Sequence, residues 1–206
     1  MTNEALLKIV NEGLNDKINP VTALFELKNQ LIENIRLEAL KTQGTKSSDI
    51  SIIKRITKEV KINPLFGKTH TFSYDGIDYF GFLEGHYILA SENNFGYEIA
   101  SDAEKFKINT MINYSMFCNT EVEIDMADLK TACKLTKRSS PEFYIINVEN
   151  QEIGFNPFFL LDALQFNDTN IVIIDLKRQY SPIMIQNKNK KTIGMVLPVR
   201  LPKKEN

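Results

Sequence analysis

Residues 151–201 read QEIGFNPFFLLDALQFNDTNIVIIDLKRQYSPIMIQNKNKKTIGMVLPVRL, and this stretch decides the fold. Residues 152–155 suit a short strand. Asn156 then offers an oxygen to cap a helix, and Pro157 sits at the first helical position, where its missing N–H costs nothing. Phe158, Phe159, Leu161, Leu164 and Phe166 leave that helix little polar surface, so it must be well buried. Asn167-Asp168 turns the chain, and apolar runs at 171–176, 183–186 and 192–199 read as strands. One helix followed by three strands is the local pattern. The basic segment NKNKK at 187–191 fits either a solvated turn or a small binding patch.

The totals around it set bounds. The chain has 206 residues, 43% hydrophobic and 25% charged, enough for one larger domain or two small ones. A net charge of −1 gives no global steering toward nucleic acid, so any such attraction must come from charges gathered on one face. Cys118 and Cys133 match no zinc spacing and are too few for a disulfide framework, so both are expected as reduced thiols in or near the core. No apolar run approaches the roughly 20 residues that span a bilayer, and the first residues do not resemble a signal peptide. A cytoplasmic protein without a membrane partner is the expectation.

Working back toward the N-terminus, residues 143–148 read as a strand ending in a turn at Glu149-Asn150. Residues 125–138 form a helix capped by Asp125, with Met126, Leu129, Ala132 and Cys133 on one face. Lys130, Lys134, Lys137 and Arg138 follow one another at i, i+4, i+7 and i+8 on the other face. The span 92–120 is less clear, with turn signals at Asn93-Asn94 and Ser101-Asp102 and possible short strands at 106–109 and 111–117. Strands are expected on both sides of an Asp75-Gly76 hairpin turn and again after a tight turn at Glu84-Gly85. Residues 49–61 suit a helix, with Ile52, Ile53, Ile56 and Val60 on its apolar face and Lys54, Arg55, Lys58 and Lys61 opposite.

A linker at 42–48 precedes these elements, because Gly and small polar residues interrupt both periodicities there. Before it, 3–15 and a longer segment from Asn19 to about Lys41 read as helices. In the longer one Val21, Leu24, Phe25, Leu31, Ile32 and Ile35 recur at helical spacing, and that stripe needs a partner. The first helix, the rest of the chain or another subunit can supply it. The organisation expected is a helical segment at 1–45 and a domain at 46–206. The fold class is α+β.

No phosphate-loop, dinucleotide, zincin or nucleophile-elbow motif occurs, and acidic residues are scattered singly. No catalytic set, metal site or cofactor is therefore expected, and the protein reads as a non-enzyme. His86 fits three roles: a hydrogen-bonded turn or strand residue, a pocket residue, or a general base. Lys54, Arg55 and Lys58 on one helix, with Lys130, Lys134 and Lys137 on another, could meet phosphates if the helices pack side by side. Such contacts are sequence-independent and salt-sensitive.

Two segments resemble the bacterial sliding clamp, the beta subunit of DNA polymerase III. EIGFN, the helix with LLDAL, the SPI strand pair and the terminal VLPVRL resemble the last repeat of that family. FLEGHYIL at 82–89 resembles its TDGHRL half-domain, with Glu84 for Asp, Tyr87 for Arg and Ile88 for Leu. The resemblance implies a DNA-clamp-like domain with helix-plus-strands repeats at about 48–92 and 150–201 and an inserted segment at 93–149. Residues 121–138 also begin like a clamp repeat, without three full strands after the helix. It implies a peptide groove with Gly85, His86, Tyr87 and Ile88 on one wall and Val196, Leu197, Pro198, Val199 and Arg200 on the other. The implied partners are DNA, a polymerase or other replication proteins, and further copies of the chain as a homo-oligomer. The implied role is a replication accessory that supports polymerase processivity. The chain is short for a clamp subunit, and the resemblance then implies a reduced version, such as a phage or mobile-element protein. A single clamp-like domain acting as an adaptor or decoy, without encircling DNA, is the alternative. For the groove residues the plain alternative is that Leu197 and Val199 complete the core.

Overall fold

A computed structural model describes residues 3–15, 17–58, 68–74, 76–83, 86–90, 98–101, 118–137, 142–178, 180–189 and 191–201. The turn residues Asp75, Glu84 and Gly85, the possible strands at 106–109 and 111–117, the turn signals at Asn93-Asn94 and Asp102, and Val60, Lys61 and Arg138 lie outside them. The chain separates into two compact units, Met1–Ile50 and Ser51–Asn206. The division falls inside the helix Ser47–Lys58.

The first unit holds α1 (Asn3–Leu14) and α2 (Pro20–Thr42), which pack on each other. Asn19 caps α2 by accepting the Val21 N–H at 2.8 Å, and Pro20 stands at the first helical position. Beyond Thr42, Gly44 adopts φ +80°, a left-handed conformation that needs no Cβ. The two helices approach closely at Gly13, where an added Cβ would lie 2.7 Å from the Ala23 Cβ. α3 (Ser47–Lys58) follows and buries Ile50, Ile52 and Ile53.

The second unit is α+β and antiparallel. Its strands are β1 (His70–Tyr74), β2 (Ile77–Leu83), β3 (His86–Ala90), β4 (Thr120–Glu123), β5 (Tyr144–Val148), β6 (Gln151–Phe155), β7 (Ile171–Ile174), β8 (Ile183–Gln186), β9 (Thr192–Val196) and β10 (Pro198–Val199). Among the described residues it also holds the helices α4 (Met126–Leu135) and α5 (Pro157–Asn167). Seven strands form one sheet in the order β1-β2-β3-β9-β8-β7-β4, and three form a second, β10-β6-β5.

The strand order sets two helix-plus-meander units side by side. α3 precedes the meander β1-β2-β3, and α5 precedes the meander β7-β8-β9. The meanders join through their last strands, with His86 opposite Val196, Ile88 opposite Gly194 and Ala90 opposite Thr192. Six of the seven strands therefore come from the two repeats. The segment at 93–149 is woven into both sheets, since β4 pairs with β7 and β5 with β6.

Local chemistry sets these elements. Asn156 accepts the Phe158 N–H at 3.0 Å to open α5, and Asp168 closes it in the left-handed region at φ 53°. Asp125 accepts the N–H groups of Ala127 and Asp128 at 2.7 and 3.1 Å to open α4. The β5–β6 hairpin turns through Glu149 and Asn150, both at positive φ, as a two-residue hairpin requires for matching strand twist.

α5 packs across β3, β9 and β8 and against α4. Its approach to the sheet is possible because β9 carries Gly194 there. A Cβ at Gly194 would sit 2.6 Å from Asn167 Nδ2 and 3.2 Å from the Ala163 Cβ. The main core gathers Leu129, Ile146, Ile153, Phe155, Leu160, Leu164, Val172, Ile183, Ile185 and Val196. A second cluster joins Tyr79 of β2 to Met184, Ile193 and Met195, alternate residues on β8 and β9.

Several expected elements end earlier than their patterns predict, β7 at Ile174 rather than Leu176 among them. α4 stops at Leu135 rather than near 138, because Thr136 is extended and its hydroxyl accepts the Glu142 N–H at 2.8 Å. The strand expected over 192–199 breaks at Leu197, and its halves belong to different sheets. Pro198, which has no N–H to donate, lies on β10 at the edge of the small sheet.

Candidate groove and basic surface

The site begins where β9 ends. Val196 is fully buried in the main core. It braces the groove expected there from within and offers a ligand no surface. Leu197, Pro198 and Val199 are half-buried, and Arg200 is exposed. Pro198 pairs with Phe155 and Val199 with Gly154. Gly154 has no side chain because its place is taken: an added Cβ would lie 2.5 Å from Leu201 Cδ2 and 3.2 Å from Val199 Cγ2. Val199 thus divides its surface between β6 and the outside. The Arg200 guanidinium stands 5.7 Å from the centre of the Tyr180 ring, within cation–π range.

The other expected wall adjoins this one along the backbone. His86 and Tyr87 are register partners of Val196 and Met195 across the β3–β9 pair. The segments at His86–Ile88 and Val196–Arg200 are therefore neighbours, while Gly85 lies outside the described residues.

The basic residues are divided among different roles. Arg55 reaches across from α3 to form an ion pair with Asp162 on α5. Asp162 is almost wholly buried, so its charge needs that guanidinium more than a distant phosphate does. Lys54 is exposed on α3, and Lys58 lies in the same helix. Lys130 and Lys134 are exposed on α4. Lys137 is exposed but lies past the end of α4, so it leaves the helical row. α5 is the common neighbour of both basic helices: α4 packs on it and Arg55 ties α3 to it.

Asp162 was legible as the single charge in FFLLDAL, and a lone buried carboxylate implies a cationic partner. Tyr180 gave no such signal, because its pairing with Arg200 depends on how β7–β8 and β10 meet.

Cys118 is half-buried, and its thiol donates to the Pro182 carbonyl at 3.3 Å. Burial pushes its pKa up to about 11, and the Asp175 carboxylate nearby adds to the rise, although a backbone hydrogen bond at Met184 lowers it. Cys133 is half-buried too. Among the described residues no cluster of His, Cys, Asp and Glu could hold a metal ion, and no helix is long and apolar enough to cross a membrane.

The fold thus defines an α+β protein built on two helix-plus-meander repeats joined at their last strands. No protein-family model matches the chain, and no curated protein matches it. Among solved structures it is similar to a candidate DNA polymerase III beta subunit from Eubacterium rectale. The two share 23% identity, with a TM-score of 0.36 over 61% of this chain and 43% of the other. The match thus spans less than half the length of that protein.

Proposed function

We propose that this chain is a clamp-like, non-enzymatic DNA replication accessory protein. It docks short peptides of a polymerase or another replication protein and touches DNA without reading sequence. The observation that carries the reading is the antiparallel β3–β9 pair. It brings together the two segments that resemble the walls of a clamp groove, although they lie over a hundred residues apart. Leu197, Pro198, Val199 and Arg200 supply an apolar ledge ending in a cation, which suits an extended peptide with one or two aliphatic anchors. DNA contact rests on Lys130, Lys134 and Lys54, with Arg55 held back by Asp162.

The groove is tested by anisotropy with a labelled peptide carrying two adjacent aliphatic residues. Leu197→Ala and Val199→Ala should each weaken binding by about tenfold, the loss of roughly 1.4 kcal/mol. Unchanged affinity in both variants, with their circular dichroism intact, sinks the groove. DNA contact is tested by salt titration. Lys130→Gln/Lys134→Gln should flatten the slope of log K against log salt by about 1 per lysine that meets a phosphate. An identical slope removes those lysines from the interface. Encirclement requires several copies, so a strict monomer in sedimentation would leave the single-domain adaptor as the working form.

A further inference from the structure

α2 is built with its polarity reversed. The residues it buries are Ala23, Leu37 and Leu40, while Leu27, Gln30 and Asn34 between them are half-buried. Ile32 is half-buried as well, and five further large apolar side chains face outward. Val21, Leu24, Phe25, Leu31 and Ile35 are between 46% and 75% exposed. At 100° per residue these five fall on one stripe, whose length from residue 21 to residue 35 is about 21 Å. α1 does not cover it, because α1 packs at Ala23 on the opposite side of the helix. Of the three partners that the sequence allows for the stripe, the first helix is thus removed.

We propose that the stripe is a homodimer interface, in which α2 of one copy packs antiparallel on α2 of a second. The area and the symmetry of the stripe favour a second copy. The stripe presents on the order of 500 Å² of apolar surface, the upper end of what a monomer leaves uncovered. Two such stripes bury about 1,000 Å² together, the lower limit for a specific interface, so the dimer forms at micromolar rather than nanomolar concentration. A straight stripe is also self-complementary about a two-fold axis, since residue 21 of one helix meets residue 35 of the other. Lys28 is the one charge on the stripe, at its midpoint. The two-fold axis sets it beside its own copy, where its stem can lie along the apolar surface with the ammonium in solvent. The interface is independent of the β10 groove and of the lysines on α4.

Sedimentation equilibrium of the full chain across the micromolar range tests this. The wild type should move from monomer to dimer, and raising salt should leave the dimer intact or tighten it, because salt screens the Lys28 pair. Phe25→Asp should weaken dimerisation at least tenfold while helix content and groove binding persist. Lys28→Leu should tighten it several-fold, a result that cannot come from a misfolded hairpin. A wild-type monomer throughout the range overturns the proposal. A dimer unaffected by either substitution overturns it too, as does one that dissociates with salt, the mark of an oppositely charged partner surface.

Discussion

The last repeat and the N-terminal hairpin treat apolar side chains in opposite ways. In the repeat, Leu160, Leu164, Phe155 and Val196 are wholly buried between sheet and helix. In the hairpin, Leu24, Phe25 and Ile35 point away from the helix packed beside them. The same residue types serve self-closure in one region and offer surface in the other. A stripe at helical spacing therefore establishes a buried face only when its partner is known.

The largest expected effects separate the two regions most sharply. Phe155→Ala or Leu164→Ala should cost about 3–5 kcal/mol in urea unfolding, since each empties a closed core. Leu24→Ala or Ile35→Ala should cost under about 0.5 kcal/mol at concentrations where the chain is monomeric. Similar costs at both places would break the contrast.

Close approaches sharpen it next. Gly194→Ala should destabilise by about 1–3 kcal/mol, because the new methyl meets Asn167 and Ala163 of a buried helix. Gly13→Ala in a helix would ordinarily stabilise by about 0.4–1 kcal/mol. Here the methyl meets Ala23 at 2.7 Å, so the sign should reverse, and Ala23→Gly added to it should restore thermal stability.

Arg55→Met tests whether a cation on α3 belongs to the fold or to a surface. Loss of the ion pair to buried Asp162 should cost about 1–3 kcal/mol in the same unfolding assay. A neutral result would return Arg55 to the set of residues open to DNA.

The smallest effect concerns pH. The Cys118 pKa is higher in the folded chain than unfolded, so its stabilisation is complete below the unfolded value near 9 and declines as pH rises toward 11. Alkylation of Cys118 by iodoacetamide should lag at pH 8 and rise steeply above pH 10. Fast reaction at pH 8 would contradict the burial.

Much of the fold is local in origin and can be read from the residues. Asn19, Asp125 and Asn156 act as caps because the oxygen that satisfies the first N–H groups lies two or three residues away. The turns at Glu149-Asn150 and at Asp168 fall where the polar pairs stand. The register between β3 and β9 is not local. Nothing near His86 specifies Val196; the pairing follows from packing two meanders under one helix. The candidate groove was readable as two separate segments, but their adjacency was not. Nor was the division of labour among the groove residues, where Val196 turns into the core and Arg200 stands outside on Tyr180.

The sequence by itself determined the element types and caps over most of the described chain, because hydrogen bonds to neighbours and side-chain periodicity act over a few residues. Tertiary structure decided the rest. It joined the repeats through β3 and β9, broke the last strand at Leu197 between two sheets, and assigned Arg55 to Asp162. It also left the apolar stripe of α2 facing outward. Each of these depends on groups far apart in the chain competing for one place, and that competition is settled only when the whole core packs.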